Sequence, residues 1–292
     1  MRSQKVKIIL LSLCATLFVF FSEAAAQQQQ ASVITAKSPE ILYLGAAMEQ
    51  RTINNNQHEV LDIIQDDIVI NFNSLNAKSK TIKAQKEPLY KAIDAAISAT
   101  NLAKWQNKSF SFAVKELGSY KDMELFFGQT IDPKTWFSVP DPSLKPMTLL
   151  AINLERVAFT VDMELPETGT FRTNDGLLAK YNPDDIIYTS TLSFGRRAII
   201  IVESNIGVSE VKSALAKILK RESLSDRDKS ILANCIYRVL LLGNNSIDLE
   251  SKQPVQQAME YVEAEITTAN YGQPISFGSS YLKNHQIFNN KY

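Results

Sequence analysis

The sequence predicts an α+β fold in which long, mostly antiparallel strands alternate with inserted helices. Three observations carry this. Residues 147–166 (MTLLAINLERVAFTVDMELP) read as one extended strand of unusual length, and residues 186–203 (IIYTSTLSFGRRAIIIVE) as a second. Residues 208–221 are amphipathic at helical spacing, with Val208, Val211, Leu215, Ile218 and Leu219 forming the apolar stripe. Ordinary strands run roughly 3–10 residues, so two strands of this length define the fold.

At 292 residues the chain is long enough for one large domain or two modest ones with a real core. Arg2, Lys5 and Lys7 precede an apolar run over 8–21, and Ala24-Ala25-Ala26 supplies a small-residue cleavage site. Residues 1–26 therefore read as a secretory signal peptide and the mature protein as secreted. Cys14 is a poor lipidation site, because Leu13 stands where a small residue is required. Residues 27–38, opening on Gln27–Gln30, read as a flexible leader. Removing the signal takes away Arg2, Lys5, Lys7 and Glu23 and leaves a net charge of about −2, which implies neither nucleic acid nor an anionic membrane. It also leaves Cys235 as the lone cysteine, so no intramolecular disulfide is expected, and the thiol reads as a small buried hydrophobe.

Residues 39–50 (PEILYLGAAMEQ) read as mixed strand and turn, and 67–73 (DIVINFN) alternate as a short strand. Pro88 opens PLYKAIDAAISATNLAKW, a helix with Leu89, Ile93, Ile97 and Leu102 near helical spacing and proline in its first turn. Residues 109–117 (SFSFAVKEL) form a strand with Phe110, Phe112 and Val114 on one face. Residues 121–136 suit both helix and strand, and Pro133, Pro140, Pro142 and Pro146 then interrupt regular structure.

In the long strand that follows, Val157, Phe159, Val161, Met163 and Leu165 share one face, whereas Ile152 and Leu154 hold the opposite phase. The slip at Glu155–Arg156 predicts a β-bulge that bends the strand. Residues 167–185 are turn-rich. After the second long strand and the amphipathic helix, SLSDRDKS at 223–230 caps a further helix. CIYRVLLL at 235–242 reads as a buried strand ending at Gly243, 254–269 as a helix, and 271–288 as a strand or strand pair. No internal repeat is visible.

Catalytic signals are missing. The two histidines, His58 and His285, stand in neither metal-ligand nor triad spacing. There is no glycine-rich phosphate loop, no G-x-S-x-G and no H-E-x-x-H. The paired acids Asp66–Asp67, Asp184–Asp185 and Glu263/Glu265 read as solvated turns and a helix face. The expectation is a protein that is not an enzyme and needs no cofactor or metal.

The order of five segments then resembles a known family. MTLLAINLERVAFTVDMELP, STLSFGRRAIIIVESN, VSEVKSALAKIL, IYRVLLLGN and ANYGQPISFGSSYLK are similar, in that order, to segments of the cholesterol-dependent cytolysins, secreted pore-forming toxins. Upstream, ILYLGAAM and PLYKAIDAAISATNLAKW extend the similarity, which runs from about Pro39 to about Lys283. The resemblance implies a bent, twisted antiparallel sheet flanked by two helical bundles, each of which unfurls into a transmembrane β-hairpin on assembly. It implies pore-domain segments at 109–156 and 197–270, and supporting-frame segments at 39–108, 157–196 and 271–292. The first hairpin region falls at 121–149, with Met123, Leu125, Phe127 and Ile131 on one alternating face, and the second at 209–232, carrying Val211, Leu215, Ile218 and Leu219. Facing aromatics that align neighbouring subunits fall at Phe112 and Tyr237, each of which also reads as ordinary sheet packing. The pair that lets the family's edge strand peel away falls at Gly243 and Asn244. The 235–242 strand would meet a neighbour once 271–288 moves off it.

Three departures reshape the expected function. The sequence offers no C-terminal β-sandwich with a tryptophan-rich loop, since Trp105 and Trp136 are its only tryptophans. It offers no long strands leading to such a sandwich, and Asn244 replaces the second glycine of the pair. Cholesterol binding is not expected. The pattern resembles a short subunit that joins a longer homologous cytolysin-like subunit in a ring, with the target membrane as a partner only after assembly. The competing reading is a non-lytic secreted interaction or inhibitory protein that keeps the fold.

Overall fold

The computed structural model describes residues 33–55, 57–63, 66–102, 110–124, 137–165, 180–242 and 253–290. Within them nine strands form one antiparallel sheet: β1 (Ile34–Thr35), β2 (Ala47–Glu49), β3 (Asp67–Asn73), β4 (Lys80–Lys83), β5 (Ser111–Glu116), β6 (Thr148–Met163), β7 (Ile186–Ser204), β8 (Ile236–Leu242) and β9 (Gln273–Tyr281). The described helices are α1 (Lys86–Ser98), α2 (Val208–Leu219), α3 (Asp226–Ala233) and α4 (Pro254–Glu263).

The two long strands are the spine. β6 and β7 pair from Thr148 opposite Ser204 to Asp162 opposite Thr191. Their length lets two strands attach end to end on each side. On the outer side of β6, β5 pairs with Leu150–Glu155 and β3 with Thr160–Met163. On the outer side of β7, β8 pairs with Arg197–Glu203 and β9 with Ile187–Gly195. The upper half of the sheet therefore reads β5-β6-β7-β8, and the lower half β4-β3-β6-β7-β9-β1. β2 joins the start of β7.

The bulge is present but displaced from Glu155–Arg156. Val157 stands opposite Gly195 and Phe159 opposite Phe194, leaving Ala158 as the extra residue. The buried positions run Leu150, Ile152, Leu154, Arg156 and Ala158, then switch to Phe159, Val161 and Met163. The alternation of residue types misplaces the slip because a buried arginine occupies a position that the pattern assigns to the wet face. Across from it the backbone is tightly packed: a Cβ at Gly195 would lie 2.0 Å from the Arg156 carbonyl oxygen, and one at Gly272 would lie 2.2 Å from the Gly195 carbonyl oxygen. Only glycine permits such an approach.

Each half has its own core. In the lower half α1 lays Leu89, Ile93 and Ile97 against Ile70, Phe159 and Phe194, and the last two rings stack at 4.8 Å and 9°. α1 ends at Ser98, earlier than its hydrophobic spacing suggests. There the Thr100 hydroxyl donates to Ala96 O, taking up a carbonyl that further helix would have paired, while the Thr100 amide turns to Ile97 O. In the upper half α2, α3 and α4 cover one face of the sheet and the Tyr120–Met123 turn covers the other.

Candidate functional site

The upper half ends on two longer outer strands, β5 of six residues and β8 of seven, whereas the lower half ends on the four-residue β4 and the two-residue β1. Among the described residues no strand pairs with the outer side of β5 or of β8. β8 was expected to be a buried strand covered by residues 271–288. It is instead an outer strand, half-exposed over most of its length, and β9 continues below it along β7 rather than beside it. The mostly apolar run misleads because residues on both of its faces pack, against different segments. Tyr237, Val239 and Leu241 pack towards the helices, while Leu240 packs with the opposite-face cluster.

The sequence-predicted aromatics occupy these two outer strands. Phe112 is level with Leu154, Ala198 and Leu241, and Tyr237 is level with Val202, Leu150 and Glu116. Positions an even number of residues apart share a face, so both aromatics project towards the helical side. They differ in environment. Phe112 is 43% exposed, with Phe110 as its ring neighbour at 6.4 Å. Tyr237 is half-buried, its hydroxyl donates to Leu232 O at 3.0 Å, and burial pushes its phenol well above the ordinary value.

Compact segments lie on both faces between these strands. On the helical face α2 buries Val211, Ala214, Leu215 and Leu219 against Leu150, Ile152, Ala198 and Ile200, with Ile218 half-buried. Ser225 caps α3 in a reciprocal box with Asp228, and the charged run is internally paired: Lys217 with Asp228 at 2.7 Å, Lys229 with Asp226 at 3.2 Å, and Arg227 with Glu210. On the opposite face Tyr120, Met123 and Phe137 pack on Leu149, Ala151, Ile199 and Ile201. The Tyr120 phenol, raised by burial and by its hydrogen bond to Glu203, is tied to the sheet there. Glu116 at the end of β5 bridges both segments, accepting from Lys145 at 3.1 Å and Lys212 at 3.3 Å. Met123 is thus placed in a buried turn, whereas Leu125, Phe127 and Ile131 of the first hairpin region, and Gly243 and Asn244 of the strand hinge, lie outside the described residues.

Among the described residues no three His, Cys, Asp or Glu side chains cluster as a metal site. His58 is a buried structural group: its Nε2 accepts from the Lys37 amide at 3.1 Å, its ring meets Phe277 edge-on at 5.1 Å, and burial lowers its pKa to about 4. The Cys235 thiol, raised by burial, donates to Ile231 O at 3.3 Å. Among the described residues no helix is long and apolar enough to cross a membrane.

Sequence reasoning passed over Arg156 and Arg196. They are direct cross-strand partners at the bulge, 3% and 2% exposed, and both donate to the carbonyls at the end of α4. The available signal was a polar residue on each strand at the point where the alternation slips.

This architecture matches solved structures of cholesterol-dependent cytolysins. Listeriolysin O superposes with a TM-score of 0.68 at 16% identity, over 88% of this chain and 59% of its own. Pneumolysin gives 0.64 at 17% identity, over 88% and 60%. Suilysin from Streptococcus suis gives 0.64 at 16% identity, over 88% and 60%. At these identities the likeness is one of fold, and the chain spans about three fifths of the length of the structures it matches. No family profile and no curated protein matches the sequence.

Proposed function

We propose that this chain is a secreted subunit of a pore-forming assembly that joins a longer homologous subunit through β5 and β8. The supporting observation is the pair of open outer strands in the upper half. β5, β6, β7 and β8 alternate in direction, so β8 of one subunit runs antiparallel to β5 of the next and continues the ladder without a break. A stagger of four residues between neighbouring subunits would bring Phe112 and Tyr237 together across the joint. The segments at 121–149 and 209–232 are the material for two transmembrane hairpins, which need about 9–11 residues per strand. The proline stretch at 133–146, inside the first region, suits a hairpin tip between its two strands, because proline cannot donate to a closed ladder. Recognition of the membrane falls to the longer subunit in this reading, and the chain acts without a cofactor.

One observation favours the non-lytic alternative for the second region. Its four consecutive charges are all held in ion pairs with nearby helix residues, so insertion would break several contacts and carry charge towards lipid.

The test is dye release from liposomes with the chain alone, the longer homologue alone, and the mixture, each imaged for rings. Leakage and mixed rings from the mixture support the proposal. Rings without leakage select the non-lytic alternative. Neither rings nor leakage, with the longer homologue shown to bind the liposomes, overturns both.

A further inference from the structure

The polar ties that hold α4 on the sheet concentrate at one end of the helix. Arg156 Nη1 donates to Glu263 O at 2.9 Å and Ala264 O at 3.1 Å, and Arg196 donates to Ala264 O and, through Nη2 at 3.0 Å, to Glu265 O. The Tyr261 ring lies 5.9 Å from the Arg196 guanidinium, and its hydroxyl donates to Leu242 O at 2.8 Å. Arg221 of the α2–α3 connection pairs with Glu263. Among the described residues the opposite end has no charged side chain tying it to the sheet. Pro254 and Val255 face Leu224, Leu232 and Tyr237 across a cavity of about 210 Å³, and the buried Gln257 Oε1 has no hydrogen-bond partner.

Two guanidiniums on neighbouring strands repel, and each is lowered first by burial, Arg156 also by Arg196. The last carbonyls of a helix carry the negative end of its dipole and lack partners within the helix. The end of α4 thus accepts hydrogen bonds from both arginines, and lifting it would strand two adjacent buried cations. Lifting the first turn strands nothing charged.

We propose that Arg156 and Arg196 form a charge latch that makes the C-terminal end of α4 a fixed pivot, so that α4 leaves the sheet first-turn-first and uncovers Tyr237 on β8. The pivot stands on the geometry alone, whereas its role in exposing an assembly edge rests on the proposed function. Amide hydrogen exchange of the full chain reads the pivot directly. In the wild type the last turn of α4 is protected about tenfold or more over the first. Arg156→Leu and Arg196→Leu each bring the last turn to the level of the first while β6 and β7 amides keep their protection. Arg156→Lys and Arg196→Lys, which keep the charge but lose the forked geometry, give an intermediate loss and stand in for any leucine variant that does not fold. Equal protection at both ends of wild-type α4, or a last turn indifferent to all four substitutions, overturns the latch. A protection gradient in a chain that never assembles with the longer homologue leaves the latch standing and removes the proposed function. Assembly without a gradient does the reverse.

Discussion

Phe112 and Tyr237 stand on the same face of the sheet, on its two opposite outer strands, four positions apart in level. They are unequal probes of one joint. Phe112 is exposed, so Phe112→Ala shifts stability by less than about 0.5 kcal/mol, as for surface changes generally. Tyr237 packs into the helical cluster and bonds Leu232 O, so Tyr237→Ala costs about 2–4 kcal/mol. Urea midpoints measure both. Phe112→Ala is therefore the clean variant for assembly, with slower ring completion expected, and normal ring kinetics would remove that residue from the joint.

His58 makes stability depend on acid. Its folded pKa of about 4 lies below the ordinary 6.5. The fold favours the neutral ring, so below pH 6.5 the unfolded chain binds a proton that the folded chain refuses. Stability from this site is complete above pH 6.5 and falls as pH drops towards 4, by about 3 kcal/mol in all. His58→Gln keeps an acceptor for the Lys37 amide without titrating. Urea unfolding at pH 7 and pH 4.5 will show a smaller acid loss in this variant than in the wild type; equal losses would assign the acid sensitivity elsewhere.

The close approach at the bulge predicts two intolerant glycines. Gly272 has φ of +96°, and its Cβ would collide with the Gly195 carbonyl, so Gly272→Ala costs about 3 kcal/mol or more. Gly278, where an added Cβ meets only ordinary contacts of 3.5 Å or longer, is the control, and Gly278→Ala changes stability by less than about 1 kcal/mol. Thermal melts distinguish them, and equal shifts would contradict the crowding at Gly195.

Along α2 the stripe is graded. Leu215 is fully buried against β6 and β7, whereas Ile218 sits half-buried beside the cavity under Leu224. Leu215→Ala costs about 3 kcal/mol and Ile218→Ala about 1 kcal/mol. A larger effect at Ile218, measured by denaturant unfolding, would place the centre of packing elsewhere.

The long strands were legible because their apolar runs exceed what a helix or loop of that composition would carry, and β3 and β7 fall within a residue of their expected bounds. The bulge was visible as a phase slip but misplaced, because Arg156 is buried by the carbonyls of a helix more than a hundred residues away. β8 looked buried because a mostly apolar strand does not distinguish helices above and a turn below from cover by residues 271–288. The aromatics Phe112 and Tyr237 were placed through resemblance, and periodicity alone would have left them as packing. The latch was out of reach for the same reason as the bulge: its acceptors are backbone atoms, which carry no residue signature.

The two halves of the sheet also differ in width. With strands spaced about 4.8 Å apart, the four-stranded upper half spans about 19 Å and the six-stranded lower half about 29 Å. A circle of subunits closed through β5 and β8 fixes the upper arc per copy, and the lower halves cannot share that circumference. They must lie on a circle about one and a half times larger in radius, or turn out of the wall altogether. The bulge at Ala158 lies at that change of width, so a ring closed as proposed would have its change of radius at this point of each copy.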